Sequence, residues 1–429
     1  MRTRRRLLTL LAIAALTVIA SPLAAVAQPD ETTMNGRLQQ IDGDERTPVE
    51  GVRIEVRLDG EIVGDAVSDA GGEWTVPLPG GGVYEVELDT STLPEGVALT
   101  DPERQVLPEV TVRDGQSKFV NFGLGPGLVA RSSTLDRVGD LFVLGLKLGA
   151  IIALSAIGLS LIFGVTGLVN FAHGDLVTMG AAVAFWFNAV DGGPGMQILL
   201  ASIPAILIVA GFGAAQEQWL WKPLRRRSTG VIALIVVSIG LSFAIRYIIL
   251  VMLTGQPRPY LDYVVQDEVS FIGLETVPKN IWIILVSAVV LAGVGLFLQR
   301  TKLGTAMRAV SDNSDLAESS GIDVDRVIMF TWVTGAGLAA MGGIMLGISE
   351  QVQWDMGFKL LLLIFSAVIL GGLGTAFGAM IGGFAIGISV EMSTLVVPNE
   401  LKTAVALAIL VVMLLVRPQG LLGRKERVG

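Results

Sequence analysis

The chain has 429 residues, 52% of them hydrophobic and 16% charged, with 52 glycines and a mean hydropathy of +0.65, which excludes an ordinary soluble globule and fits a polytopic membrane protein. Cysteine is absent and His173 is the lone histidine, so a disulfide framework, a thiolate metal site and a cysteine nucleophile are all excluded. The acidic pI of 4.9, without a basic stripe, leaves nucleic acid no electrostatic footprint.

Residues 1–27 read as a secretory signal: Arg2, Arg4, Arg5 and Arg6 precede the apolar run 7–20, and Ala25-Val26-Ala27 fits a small-residue cleavage site. An uncleaved anchor gives the same orientation, with residues from 28 onward exported. Residues 28–136 hold 21 acidic and 8 basic side chains, a net of −13, whereas 137–429 sum to +1, so the acidity belongs to one soluble domain. There the pattern has period two. Val52, Ile54, Val56 and Leu58 alternate with Arg53, Glu55 and Arg57, and Tyr84, Val86 and Leu88 alternate with charges. Turn signals at Asp59-Gly60, Gly71-Gly72, Gly80-Gly81-Gly82, Pro94-Glu95-Gly96 and Asp114-Gly115 have the spacing of an antiparallel sandwich. Residues 49–88, with the turn Asp69-Ala70-Gly71-Gly72-Glu73-Trp74 and the strand 83–89, resemble carboxypeptidase-regulatory-like and related Ig-like β-sandwich domains. The expected organisation is a signal at 1–27, an extracytoplasmic all-β sandwich at 28–123, a linker at 124–140 and a mainly α, transmembrane domain at 141–429.

From residue 141 the apolar runs approach the roughly 20 residues that span a bilayer. There are nine: 141–165, 176–190, 197–215, 230–253, 281–298, 328–348, 359–373, 377–397 and 403–416, the shorter ones being candidates for re-entrant segments. Three basic clusters alternate with them: Lys222 with Arg225, Arg226 and Arg227; Arg300 with Lys302, Arg308 and Arg326; and Arg417 with Arg424, Lys425 and Arg427. Starting from an exported sandwich, nine crossings put all three clusters in the cytoplasm, as the positive-inside rule requires.

Several segments carry chemistry. Residues 154–174 run from an apolar helix into Asn170-Phe171-Ala172-His173-Gly174, followed by Asp175, which sets polar groups beside a membrane span. This stretch resembles the first-helix signature of ABC importer permeases of the branched-chain amino-acid (LivH) type. It admits two readings, a pathway or hinge element and a capped helix junction. Residues 216–227 and 370–387 are similar to the same family. The glycines of Gly374, Gly378 and Gly382, and of Gly335, Gly343 and Gly347, form four-residue ridges expected to pack helix on helix. Lys147, Arg246 and Glu391 fall inside spans, where charge is expensive; Arg246 and Glu391 are expected to form a structural pair, and Asn170, His173, Gly174, Arg246 and Glu391 make up the candidate pathway.

Between two apolar runs lies a charged island, 301–326. Asn313 is expected to cap a short helix through Leu316 and Glu318, and Gly321 to end it with φ > 0. Its residues Arg308, Asp312, Asn313, Ala317, Glu318 and Gly321 resemble the family's cytoplasmic coupling loop, which implies docking onto a separate ATPase subunit. The chain has no G-x-x-x-x-G-K-[ST] loop, so ATP is expected on partner subunits and no cofactor in this chain. The resemblance further implies a second permease protomer, an extracytoplasmic solute-binding protein and a cell-membrane location amid lipid. Branched-chain amino acids, urea or short amides are the implied solutes. The alternative is an ion-coupled secondary transporter or channel, with Glu391 carrying the ion.

Overall fold

The computed structural model describes residues 32–423, except for 43–44, 59, 95, 100–101, 113–114, 116, 125–133, 190–192, 254, 256, 264–268 and 272–273. The signal expected at 1–27, most of the early linker and the basic residues 424–427 lie outside the described residues. The chain divides into two compact units, 1–132 and 133–429.

The first unit is all β. Its strands are β1 (Thr33–Arg37), β2 (Gln39–Asp42), β3 (Glu45–Pro48), β4 (Arg53–Leu58), β5 (Glu61–Val67), β6 (Glu73–Pro77), β7 (Gly82–Leu88), β8 (Val106–Val112), β9 (Ser117–Phe119) and β10 (Gly123–Leu124). They form sheets ordered β6-β1-β9, β10-β2-β3 and β5-β4-β7-β8. The period-two residues do as the pattern requires: Ile54, Val56, Tyr84, Val86 and Leu88 turn inward and meet Met34, Trp74, Val76 and Phe122 in one core. Gly36 is glycine because a Cβ there would meet the Val120 carbonyl and, at 2.6 Å, the Trp74 ring nitrogen. The sandwich is not wholly antiparallel, since β1 pairs β9 and β2 pairs β10 in parallel. Those two strands come from the end of the unit, where the chain returns to its first strands.

The second unit is helical: α1 (Thr134–Thr166), α2 (His173–Asn188), α3 (Ile198–Gln216), a π turn (Glu217–Trp221), α4 (Lys222–Arg226) and α5 (Val231–Leu253). A small hairpin, β11 (Val269–Phe271) and β12 (Leu274–Thr276), leads to α6 (Pro278–Arg300), α7 (Lys302–Asp312), α8 (Ser314–Ser319), α9 (Val324–Ser349), α10 (Met356–Gly371), α11 (Ala376–Ser393) and α12 (Lys402–Val416). Each of the nine apolar runs falls on a helix. Among the described residues, six helices are long and apolar enough to cross a membrane; α2, α10 and α12 have 16, 16 and 15 residues.

The short α2 has a specific cause. His173 Nε2 bonds the Ser155 carbonyl at 2.9 Å, 11 residues and so about 16 Å before the end of α1. Residues 167–172 therefore double back along α1 as unwound chain, and α2 starts deep in the bundle. Its first turn meets that of α10 backbone to backbone: a Cβ on Gly174 would sit 2.5 Å from the Gly357 carbonyl oxygen, and one on Gly357 would collide with Gly174 in return. Unwound backbone at this depth is tolerated because protein surrounds it.

Glycine close contacts hold the rest. Gly335, Gly343 and Gly347 of α9 fit against Gly158, Val177 and Tyr260; Gly378 and Gly382 of α11 fit against Gly371 and Ala367. Gly374 is not part of a ridge: with φ +78° it makes the turn between α10 and α11. Three contacts bring the first two basic clusters and the segment after Arg417 to one end of the bundle. Lys222 and Arg226 reach Asp325 at 2.8 and 3.2 Å, Gly164 abuts Ser311 and Gly374, and Leu421 and Leu422 donate to the carbonyls of Leu370 and Gly371. Of the long helices α6 is the least enclosed. An apolar cavity of about 390 Å³ opens along its flank, lined by Val294 and Phe297 of α6, Leu161, Ile206, Met307 and Gly337.

Candidate translocation site and coupling knob

The site begins with a stripe on α5. Ser238, Ser242, Ile245, Arg246, Ile249 and Leu253 are its buried residues, and three of them are polar. Ser238 accepts from the Phe171 backbone at 3.2 Å, which fixes the unwound segment. Asp175, in the first turn of α2 where the helix dipole favours negative charge, takes Arg246 Nε at 3.0 Å and the Ser242 hydroxyl; Arg246 Nη2 also donates to Ser242 at 2.8 Å. Arg246 is 6% exposed. The guanidinium lies 3.8 Å from the Phe358 ring centroid and 5.5 Å from that of Phe243.

The expected Arg246–Glu391 pair is not formed. Arg246 pairs with Asp175, and Glu391 reaches Lys402 Nζ at 3.4 Å, near the end of the bundle opposite the basic clusters. Counting residues along straight spans fails here, because the carboxylate closest to Arg246 arrives on a helix that starts inside. The signal was present in Asp175 itself, two residues beyond His173, but sequence places it beside a span rather than within the bundle. Asn170 and His173 are buried; Asn170 Oδ1 accepts from Ala172 N at 3.1 Å, while Asn170 Nδ2 and His173 Nδ1 have no partner among the described residues. Gly174 serves the α2–α10 crossing. The candidate pathway residues thus separate: Asn170, His173, Gly174 and Arg246 gather around α2, and Glu391 stands apart.

The island 301–326 is a knob of two helices. Thr301 ends α6, its hydroxyl donating to the Phe297 carbonyl at 2.8 Å, and caps α7 by accepting from Gly304 N at 3.0 Å. Asn313 caps α8, accepting from Leu316 N at 2.9 Å, and Gly321 has φ +85°. Met307, Val310 and Ala317 pack on Leu298 and Val327, leaving Arg308, Asp312, Asn313, Glu318 and Gly321 exposed. Sequence reasoning foresaw α8 and missed α7, whose apolar face repeats at Leu303, Met307 and Val310, a helical spacing hidden among charges. It also missed the π turn beside the basic loop. There Glu217 is buried and doubly bonded by Arg225, and Trp221 stacks on Trp332 at 5.7 Å.

Helices interrupted within a bundle, an ion pair largely buried between them and a polar knob fused to a span are features of a membrane-embedded transporter permease. Residues 141–414 match the family described as the permease component of the branched-chain amino acid transport system, and the chain belongs to that family. It is 34% identical over 300 residues to the high-affinity branched-chain amino acid transport system permease protein LivH of Salmonella typhimurium, covering 66% of this chain and 94% of the relative. BraD of Pseudomonas aeruginosa is 31% identical with the same coverage, and a probable LivH of Methanocaldococcus jannaschii 29% identical, covering 64% and 89%. No solved structure matches the chain. The protein is a multi-pass membrane permease of an ABC importer, a transport subunit carrying an added N-terminal β domain.

Proposed function

We propose that this permease imports branched-chain amino acids or similarly small polar solutes such as urea and short amides, drawing energy from separate ATPase subunits that bind ATP and seat the α7–α8 knob. A second permease protomer and an extracytoplasmic solute-binding protein complete the machine. The observation that carries this reading is the knob: a capped, rigid pair of helices spliced directly to α6 and α9, presenting Arg308, Asp312, Asn313 and Glu318 to water. The relatives' names supply the solute class. The basic end faces the cytoplasm and residues 28–130 face outward, in keeping with the positive-inside rule.

Two measurements test it. Gly321→Val strains a residue at φ +85° without any steric clash, and Glu318→Lys reverses an exposed charge; both variants are expected to insert normally and keep binding-protein docking while losing ATPase association and leucine uptake. Purified complexes of either variant with full ATPase binding and full ATP-driven transport would sink the coupling role. For orientation, Ser314→Cys in this cysteine-free chain is expected to resist an impermeant thiol label in intact cells and to react in inside-out vesicles. Labelling from outside reverses the topology.

A further inference from the structure

The aromatic surface beside the buried ion pair is unlike the rest of the bundle's outer face. Phe243 and Tyr247, one turn apart on α5, stack at 6.3 Å, and Tyr247 stacks on Trp354 at 6.4 Å; Phe358, in the first turn of α10, covers the Arg246 guanidinium. Phe243 is 50% exposed and Tyr247 54%. Phe243 sits near the middle of a 23-residue span and Tyr247 six residues, about 9 Å, before its end, short of the position where tyrosine normally meets the headgroups. A half-exposed phenol there leaves its hydroxyl, which has no partner among the described residues, to find water or protein. Arg246 is also incompletely used. Asp175 and Ser242 engage Nε and Nη2, and Nη1 has no acceptor among the described residues.

We infer that Phe243, Tyr247, Trp354 and Phe358 line the water-filled path and that Arg246 Nη1 receives the carboxylate of a zwitterionic α-amino acid with an apolar side chain. The inference rests on the importer reading and adds where in this chain such a solute's carboxylate is held. The chemistry is self-consistent in charge. Asp175 and Arg246 already neutralise each other, so a ligand with net charge would be left uncompensated in the membrane, whereas a zwitterion adds none. Its carboxylate gains charge-assisted hydrogen bonds and lies near the N-terminal turns of α2 and α10; its ammonium meets the ring faces, and its side chain the apolar wall. A neutral amide such as urea uses neither charge.

The test uses the whole importer in proteoliposomes, with Phe243→Cys, Tyr247→Cys or, as a membrane-facing control on α6, Val289→Cys as the sole cysteine in this chain. Thiolate forms only where water reaches, so methanethiosulfonate ethylammonium is expected to modify the first two at least ~10-fold faster than the third. Saturating L-leucine is expected to slow that reaction, and urea is not. Rates equal to the control overturn the proposal. So does a disulfide between two copies through Tyr247→Cys, which makes the face a copy-to-copy contact, and so does labelling that leucine leaves unchanged or that urea alone slows. ATP-driven leucine uptake by the same vesicles separates the two readings: uptake with unreactive cysteines rejects only the path, and no uptake by the unmodified importer rejects the function.

Discussion

Arg246→Met alone is expected to lose most of the folded permease, and Asp175→Leu added to it is expected to restore much of what was lost. Each single change strands one largely buried charge among Ser242, Phe358 and the unwound segment. Such a break costs about 3–5 kcal/mol, a large fraction of a typical stability of about 5–15 kcal/mol. The double variant removes both charges and leaves aliphatic side chains of fair volume. Equilibrium unfolding in mixed micelles gives the coupling energy. Single losses that add to within about 0.5 kcal/mol in the double variant would reject the pair. Folding returns in that variant but leucine uptake does not, if Arg246 also meets the substrate.

Gly357→Val should be nearly as damaging, by a different route. Any Cβ there drives into the Gly174 carbonyl and lies 2.6 Å from Thr178 Oγ1, which itself accepts the Gly357 N–H at 3.0 Å. The obstruction is backbone on both sides, so no rotamer relieves it and the two helix starts must separate; overpacking of this kind costs about 1–3 kcal/mol or more. Gly293→Ala is the matched control. A Cβ at Gly293 has nothing within 4 Å, so the change is expected to be neutral or to stabilise α6 by up to about 1 kcal/mol. Thermal unfolding of both variants in detergent decides; equal Tm values would show that the α2–α10 crossing is not close-packed.

What could be read from the sequence was what is encoded locally. Runs of apolar residues longer than any core strand have only the helix in which to satisfy their backbone in lipid, so all nine were legible. The Asn313 cap and the Gly321 stop were legible because they involve neighbours within a few residues. The partner of Arg246 lies 71 residues away on a helix whose start depends on how far 167–172 climbs beside α1, and no periodicity reports that. The parallel pairings of β9 and β10 were hidden for the same reason: turn spacing describes neighbours in sequence, not a chain end returning to its first strands.

The cavity beside α6 has a mechanical meaning. That helix is a rod about 35 Å long, joined to the knob through the single residue Thr301, packed chiefly along α1 and touching α9 by the Phe297–Phe330 stack at 5.6 Å and α11 where Gly295 meets Phe377. The frame of α1, α9 and α11 is welded at glycines, where backbone touches backbone and no slack exists. Along one flank, α6 instead has clearance. Load applied at the knob therefore reaches a frame without slack at its glycines through the one long helix that has open space along a flank.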